Sequence, residues 1–150
     1  MRLALDTNIL AYAEGVNGAA KKKVTLELID KLSREEIFVP VQVLGELFHV
    51  LTRKAGRTFE RARDALLSWH DAYPTIETSG PVLTAAIDLA AHHRLGIWDS
   101  VVLAGASAAG CRLMLSEDLQ AGFTWAGVTV VNPYAAVKHD LLEALLESRA

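Results

Sequence analysis

The sequence predicts one α/β domain with a mainly parallel sheet and helices on both of its faces. Three observations predict it. Short apolar runs of strand length alternate with longer segments whose apolar residues recur at helical spacing. The chain has 150 residues, the size of one compact domain. Apolar residues make up 51% of it and charged residues 22%, enough to build a sizeable core.

Arg2 to Leu5 is an apolar run ending in Asp6-Thr7-Asn8, which reads as a strand feeding a turn. Ala19 to Leu32 carries Val24, Leu28, Ile29 and Leu32 at helical spacing. Ile37-Phe38-Val39 is the second strand, and Pro40 sits where a helix can begin, since its missing N–H is no loss there. From Val41 to Ala55 the set Val43, Leu44, Leu47, Phe48, Val50 and Leu51 marks one helical face, and Gly56 supplies a stop. A further helix is expected over Phe59 to His70, followed by a minor strand at Thr75-Ile76-Glu77. Pro81 opens a helix that runs to Arg94 and ends at Gly96. The next runs from Trp98 to Ala109 and is closed by Gly110; it is apolar nearly all round, as a helix buried in the body of a domain should be. Arg112 to Leu115 is a strand ending at Ser116-Glu117-Asp118, and Val128 to Val131 is the last strand, stopped by Asn132-Pro133. Pro133 marks a boundary: residues 1–134 are expected to form the domain proper, and residues 135–150 a helical extension of it. Val137, Leu141, Leu142, Leu145 and Leu146 give that extension an apolar stripe expected to pack on the same domain.

Composition narrows the function classes. No apolar run approaches membrane-spanning length, so no membrane role is expected. The N-terminus lacks the apolar core and small-residue cleavage site of a signal peptide. Cys111 stands alone, which excludes a disulfide framework and a Cys-based zinc site. A cytoplasmic protein is the expectation. The net charge of −3 counts against a broad nucleic-acid surface, which would be basic, but not against an acidic site neutralised by metal ions.

In an open parallel sheet, sites form beyond the carboxyl ends of the strands, where strand order reverses. Asp6 follows the first strand and Asp118 the fourth. Asn8, two residues past Asp6, points to the same side if the backbone there is extended. Asp99 opens a helix, and Glu46 lies one turn into its own, at the border of the buried face between Val43 and Val50. Each carboxylate taken alone is equally a turn residue, a helix cap or a solvated helix residue. Taken together, clustered carboxylates without a His or Cys constellation suit hard, oxygen-seeking Mg²⁺ or Mn²⁺ rather than zinc. They repel one another unless a cation sits among them. With one, such a site activates water and stabilises charge on a phosphodiester.

These residues resemble a known family. Leu5-Asp6-Thr7-Asn8-Ile9-Leu10, Val43-Leu44-Gly45-Glu46-Leu47, Trp98-Asp99-Ser100 and Leu115-Ser116-Glu117-Asp118 are similar, in order and spacing, to the motifs of PIN-domain ribonucleases. Within that family the chain resembles VapC-type toxins of bacterial toxin–antitoxin pairs, over Met1 to Tyr134. The resemblance implies a three-layer α/β/α sandwich with a mainly parallel, five-stranded sheet. It implies Mg²⁺- or Mn²⁺-dependent endonucleolytic cleavage of RNA. Asp6, Glu46, Asp99 and Asp118 would be the catalytic, metal-holding acids, with Asn8 and Ser116 supporting them. Asp118 rather than the neighbouring Glu117 would be the fourth acid. It also implies a homodimer and an antitoxin (VapB-like) that lays an extended segment and a helix over the active-site groove.

Arg53, Lys54, Arg57 and Arg94 are the expected RNA contacts, whereas Lys21-Lys22-Lys23 reads as a solvated helix face. His92 and His93 diverge by about 100° on a helix and do not share an ion. Trp98 reads as a partly buried aromatic beside Asp99, and Trp69 and Trp125 as packing residues. Alternatives within the fold are a free-standing PIN nuclease of RNA processing and a catalytically silent PIN-like binding module; the presence of all four acids disfavours the second. An aspartyl-nucleophile phosphohydrolase would want an Asp at position 8, where Asn8 stands, and a receiver domain would want an Asp ending the third strand.

Overall fold

Leu3-Ala4-Leu5 and Leu113-Met114-Leu115 are buried at every position, so the strands they form have apolar cover on both faces, as a parallel sheet requires. In the computed structural model, which describes residues 1–148, the elements run β1 (Leu3–Leu5), α1 (Thr7–Ala13), α2 (Ala19–Lys31), β2 (Ile37–Pro40), α3 (Val41–Arg53), α4 (Phe59–Ala72) and β3 (Thr75–Ile76). They continue with α5 (Gly80–His93), α6 (Ile97–Ala108), β4 (Leu113–Leu115), β5 (Thr124–Trp125), β6 (Val128–Val131) and α7 (Asp140–Glu147). The sheet order is β3-β2-β1-β4-β6-β5. Every neighbouring pair is parallel except β5 with β6. The order reverses at β1, whose neighbours are β2 on one side and β4 on the other, in register Leu3 with Leu113 and Leu5 with Leu115. That is the switch point at which an α/β sheet places its site.

The sheet has six strands, not the five expected. The sixth, β5, is two residues long and returns onto β6 through Ala126 and Gly127, both at positive φ (46° and 85°). This is the backbone of a tight two-residue hairpin, without the Asn-Gly or Asp-Gly pair that signals one in a sequence.

Asp6-Thr7-Asn8 is not a turn. Asp6 caps α1 from extended backbone, its Oδ1 accepting from the Thr7 N–H at 2.8 Å, and the helix starts at once. All seven residues of α1 are buried, packed against α2 and α3. In α2 the inward face is set by Thr25 and Leu28, while Val24 is 49% exposed, so the expected stripe is rotated. A buried threonine is tolerated there because its hydroxyl donates to the Lys21 carbonyl (2.8 Å) and meets the Tyr134 hydroxyl (2.7 Å).

The chain after Pro133 does not become helical immediately. The Asn132 Oδ1 accepts from the Tyr134 N–H at 2.9 Å, making a local turn, and α7 begins only after His139, whose Nδ1 caps the Leu141 N–H. Leu142 is fully buried and Leu145 nearly so, both in the main core cluster with Leu3, Leu5 and Leu113; Val137 is 86% exposed and stands outside it. The part of the expected extension at Arg149 and Ala150 lies outside the described residues. A second, smaller apolar cluster joins α5 to α6 through Val82, Ala86, Val101 and Ala104. Among the described residues no helix is long and apolar enough to cross a membrane.

One polar tie fastens α1 to α3 and α4. Glu14, the residue that ends α1, accepts from Arg57 (2.8 Å) and from the Trp69 indole N–H (3.1 Å), and its carbonyl accepts a second Arg57 bond at 2.7 Å. Trp69 is buried, as a packing residue should be. Arg57→Ala therefore leaves a half-buried carboxylate without its cation and is expected to cost about 1–3 kcal/mol, read as a lower urea midpoint at unchanged slope.

Candidate active site

Because β1 and β4 are neighbours, their carboxyl ends deliver Asp6 and Ser116 to one place, although they lie 110 residues apart. The Asp6 N–H donates to the Leu115 carbonyl and the Ser116 N–H to that of Val131, both at 3.0 Å, so sheet bonding fixes both backbones. The Ser116 hydroxyl donates to Asp6 Oδ2 at 2.7 Å and lies 3.2 Å from the N–H groups of both Asp118 and Leu119. It thus ties the acid after β1 to the loop after β4.

Asn8 makes the second tie. Its Nδ2 lies 3.3 Å from Asp6 Oδ2, 3.2 Å from Ser116 Oγ and 3.3 Å from Asp118 Oδ2, while its Oδ1 accepts from the Glu117 N–H at 3.0 Å. Asn8 and Asp6 do meet, but across a cap and the first turn of a helix rather than along extended backbone.

Glu46 reaches the site from α3, half-buried at the edge of the helix's apolar face. Thr7 Oγ1 donates to its Oε2 at 2.6 Å and Gln42 Nε2 to its Oε1 at 3.1 Å. Neither supporting residue was foreseen. Gln42 had a legible signal, four residues before Glu46 on one helix face; Thr7 had none while the segment read as a turn. Asp99 stands in the first turn of α6, where the helix dipole favours a negative charge, and is more exposed than Asp6.

The electrostatics link the four acids. Burial, with the charges of Glu46 and Asp99 adding to it, pushes the Asp6 carboxyl up to about 6 against the lowering bonds from Ser116 and the Thr7 N–H. Asp99 is also raised, by burial first and then by Glu46 and Asp118. An oxygen-only donor set whose members repel is what a hard divalent cation would relieve. The acids are spread rather than closed: among the described residues no three His, Cys, Asp or Glu side chains form a ready-made metal cage.

Glu117 faces away from this cluster. Its carboxylate accepts from the Tyr12 hydroxyl at 2.7 Å and pairs with Lys21, and these two bonds hold it below the usual carboxylate range. Of the two adjacent acids, the structure places Asp118 on Asn8 and beside the other acids. Lys21 is accordingly not part of a solvated face.

The expected RNA-contacting cations divide. Lys54 lines a cleft of about 510 Å³ together with Thr7, Glu46, His49 and Asp118. Arg53 and Arg94 are exposed, Arg94 closing α5 in the left-handed conformation (φ 54°). Arg57 is engaged by Glu14, which lies 43 residues before it and could not be read as its partner. Trp98 is 55% exposed rather than partly buried; at the start of α6 it is Ile97, not Trp98, that packs on the α5–α6 cluster.

The family model of the PIN domain matches residues 3–122. No curated protein matches the chain in sequence. Solved structures share its fold. VapC20 of Mycobacterium tuberculosis, a sarcin-ricin loop cleaving toxin, superposes with a TM-score of 0.63 at 16% identity, covering 75% of this chain and 86% of its own. A toxin–antitoxin complex from Klebsiella pneumoniae gives 0.66 at 20% identity, covering 89% and 98%. VapBC2 from Rickettsia felis, bound to a DNA fragment from its promoter, gives 0.63 at 18% identity, covering 87% and 97%. At these identities the likeness is one of fold.

Proposed function

The chain belongs to the PIN domain family, and from that premise we propose that it is a nuclease: a Mg²⁺- or Mn²⁺-dependent endoribonuclease acting at Asp6, Glu46, Asp99 and Asp118. The observation that carries this reading is the junction of β1 and β4, which gathers Asp6, Asn8, Ser116 and Asp118 at the sheet's switch point, within the field of Glu46 and Asp99. The donor set fits a hard cation, held by the four carboxylates; when bound, it would polarise a water and offset charge on the phosphodiester.

The chain's own groups prepare that site. A cation beside Asp6 would favour its ionised form, because burial and like charges are what hold its carboxyl above the usual range. Thr7 and Gln42 occupy both oxygens of Glu46 and so fix the plane of its carboxylate. Ser116 and Asn8 hold Asp6 and Asp118 in mutual register. Lys54, on the wall of the same cleft, is suited to a phosphate of the substrate strand.

The biological setting belongs to the same proposal: the toxin of a type II toxin–antitoxin pair, acting in the cytoplasm as a homodimer and restrained by a VapB-like antitoxin. Its support is that solved relatives of the same fold occur in toxin–antitoxin complexes. Cleavage of an unstructured RNA with Mn²⁺ tests the chemistry. EDTA should abolish it, and at saturating Mn²⁺ Asp118→Asn should lower the rate by about a hundredfold more than Glu117→Gln. Cleavage that persists in EDTA, or equal losses in the two variants, would refute the reading.

A further inference from the structure

Lys21 occupies a position that local preference disfavours. It is the third residue of α2, at the positive end of a helix with no acid in its first turn. A cation there calls for compensation from outside the helix, and three groups supply it. Glu117 pairs with its ammonium, which also sits 4.1 Å from the ring centre of Tyr134 and 4.9 Å from that of Tyr12. The two rings pack edge to face at 5.5 Å, and each hydroxyl is bonded, Tyr12 to Glu117 and Tyr134 to the fully buried Thr25. The cage draws on α1, α2, the loop after β4 and the segment after Pro133, with Lys21 and Glu117 each only about 30% exposed.

What this assembly restrains is the carboxylate next to Asp118. Glu117 and Asp118 leave β4 side by side, and the loop bearing them is otherwise tied to the site by Asn8 and Ser116. We infer that Lys21 is a positioning residue: with Tyr12 and Tyr134 it clamps Glu117 outside the acid cluster, so that Asp118 alone of the pair is presented to the metal. The value of that arrangement for catalysis rests on the nuclease reading above; the clamp itself does not.

The test therefore uses two readouts on the full chain. In the metal-free protein, hydrogen exchange of the Asp118 and Leu119 amides, which the Ser116 hydroxyl holds, should speed at least tenfold in Lys21→Met and return toward wild type in Lys21→Arg. In calorimetry with Mn²⁺, Lys21→Met should weaken binding by about tenfold, Lys21→Arg should restore it, and Lys21→Met combined with Glu117→Gln should be no worse than the worse single variant. Unchanged exchange in Lys21→Met, or losses in the two singles that simply add, would overturn the clamp. Accelerated exchange in a protein whose wild type does not bind Mn²⁺ would uphold the clamp and refute the metal-dependent reading instead.

Discussion

Asp6→Asn is expected to abolish RNA cleavage, by about a thousandfold, while making the metal-free protein more stable at neutral pH. Both effects have one cause. Asp6 is 7% exposed and its carboxyl is pushed up from 3.8 to about 6, so the fold prefers the neutral acid. Its contribution to stability is fully present below the unfolded value near 4 and is lost as the pH rises through about 6. The loss is on the order of 3 kcal/mol, at 1.36 kcal/mol per pH unit over that interval. An amide of the same shape never acquires the charge. It keeps one acceptor for the Thr7 N–H, but its NH₂ would face the Asn8 amide and the Ser116 hydroxyl must turn to accept, so the net gain at pH 7.5 should be about 1 kcal/mol, or a few degrees in Tm. On the metal-dependent reading proposed above, cleavage suffers because the amide is a far poorer ligand for a hard cation, a loss comparable to removing a transition-state electrostatic partner. Thermal denaturation of both proteins from pH 4 to 7.5, with and without Mn²⁺, reads the effect. Wild type should lose stability across that range without metal and regain it with Mn²⁺ by mass action, and the variant should do neither. A flat wild-type profile would show that Asp6 ionises at no cost to the fold.

Leu142→Ala is expected to cost about 2–5 kcal/mol and to lower Tm by roughly 6–15 °C. The side chain is fully buried in the same cluster as the central strands, so its removal leaves a cavity in the main core rather than a blemish on an appendage. Val137→Ala, five residues earlier on the expected stripe but 86% exposed, should move stability by no more than about 0.5 kcal/mol. Chemical denaturation at unchanged slope checks both. Near-equal, small effects would mean that α7 is not integral to the domain.

The parts of the molecule legible in the sequence are those governed by short-range patterns. Uninterrupted apolar runs mark β1 and β4 because strands covered on both faces have no polar side to dilute the signal. That alone places Asp6 and Asp118 beyond the carboxyl ends of β1 and β4, where the structure brings them together on Asn8. The start of α1 was misread because an Asp-Thr-Asn turn and an Asp-capped helix use the same side-chain-to-backbone bonds. The β5 hairpin escaped because Ala126 stands where Asn or Gly would announce it. Thr25 in place of Val24 on the buried face of α2, and Arg57 drawn to Glu14, depend on partners distant in the chain. The Lys21–Glu117 pair spans 96 residues, and no local pattern encodes such a meeting.

The adjacency of β1 and β4 also sets a timetable for biosynthesis. A chain leaving the ribosome carries Asp6 from its first strand, but the hydroxyl that holds that carboxylate and the loop that supplies Asp118 are made 110 residues later. Until β4 slides in beside β1, the central seam of the sheet is open and the acids have no common address. Closing so long a loop is a late, entropically costly event in a fold of this topology. On the nuclease reading, a chain whose β4 has not yet paired with β1 lacks the assembled acid cluster, and the ability to cut depends on those two strands meeting.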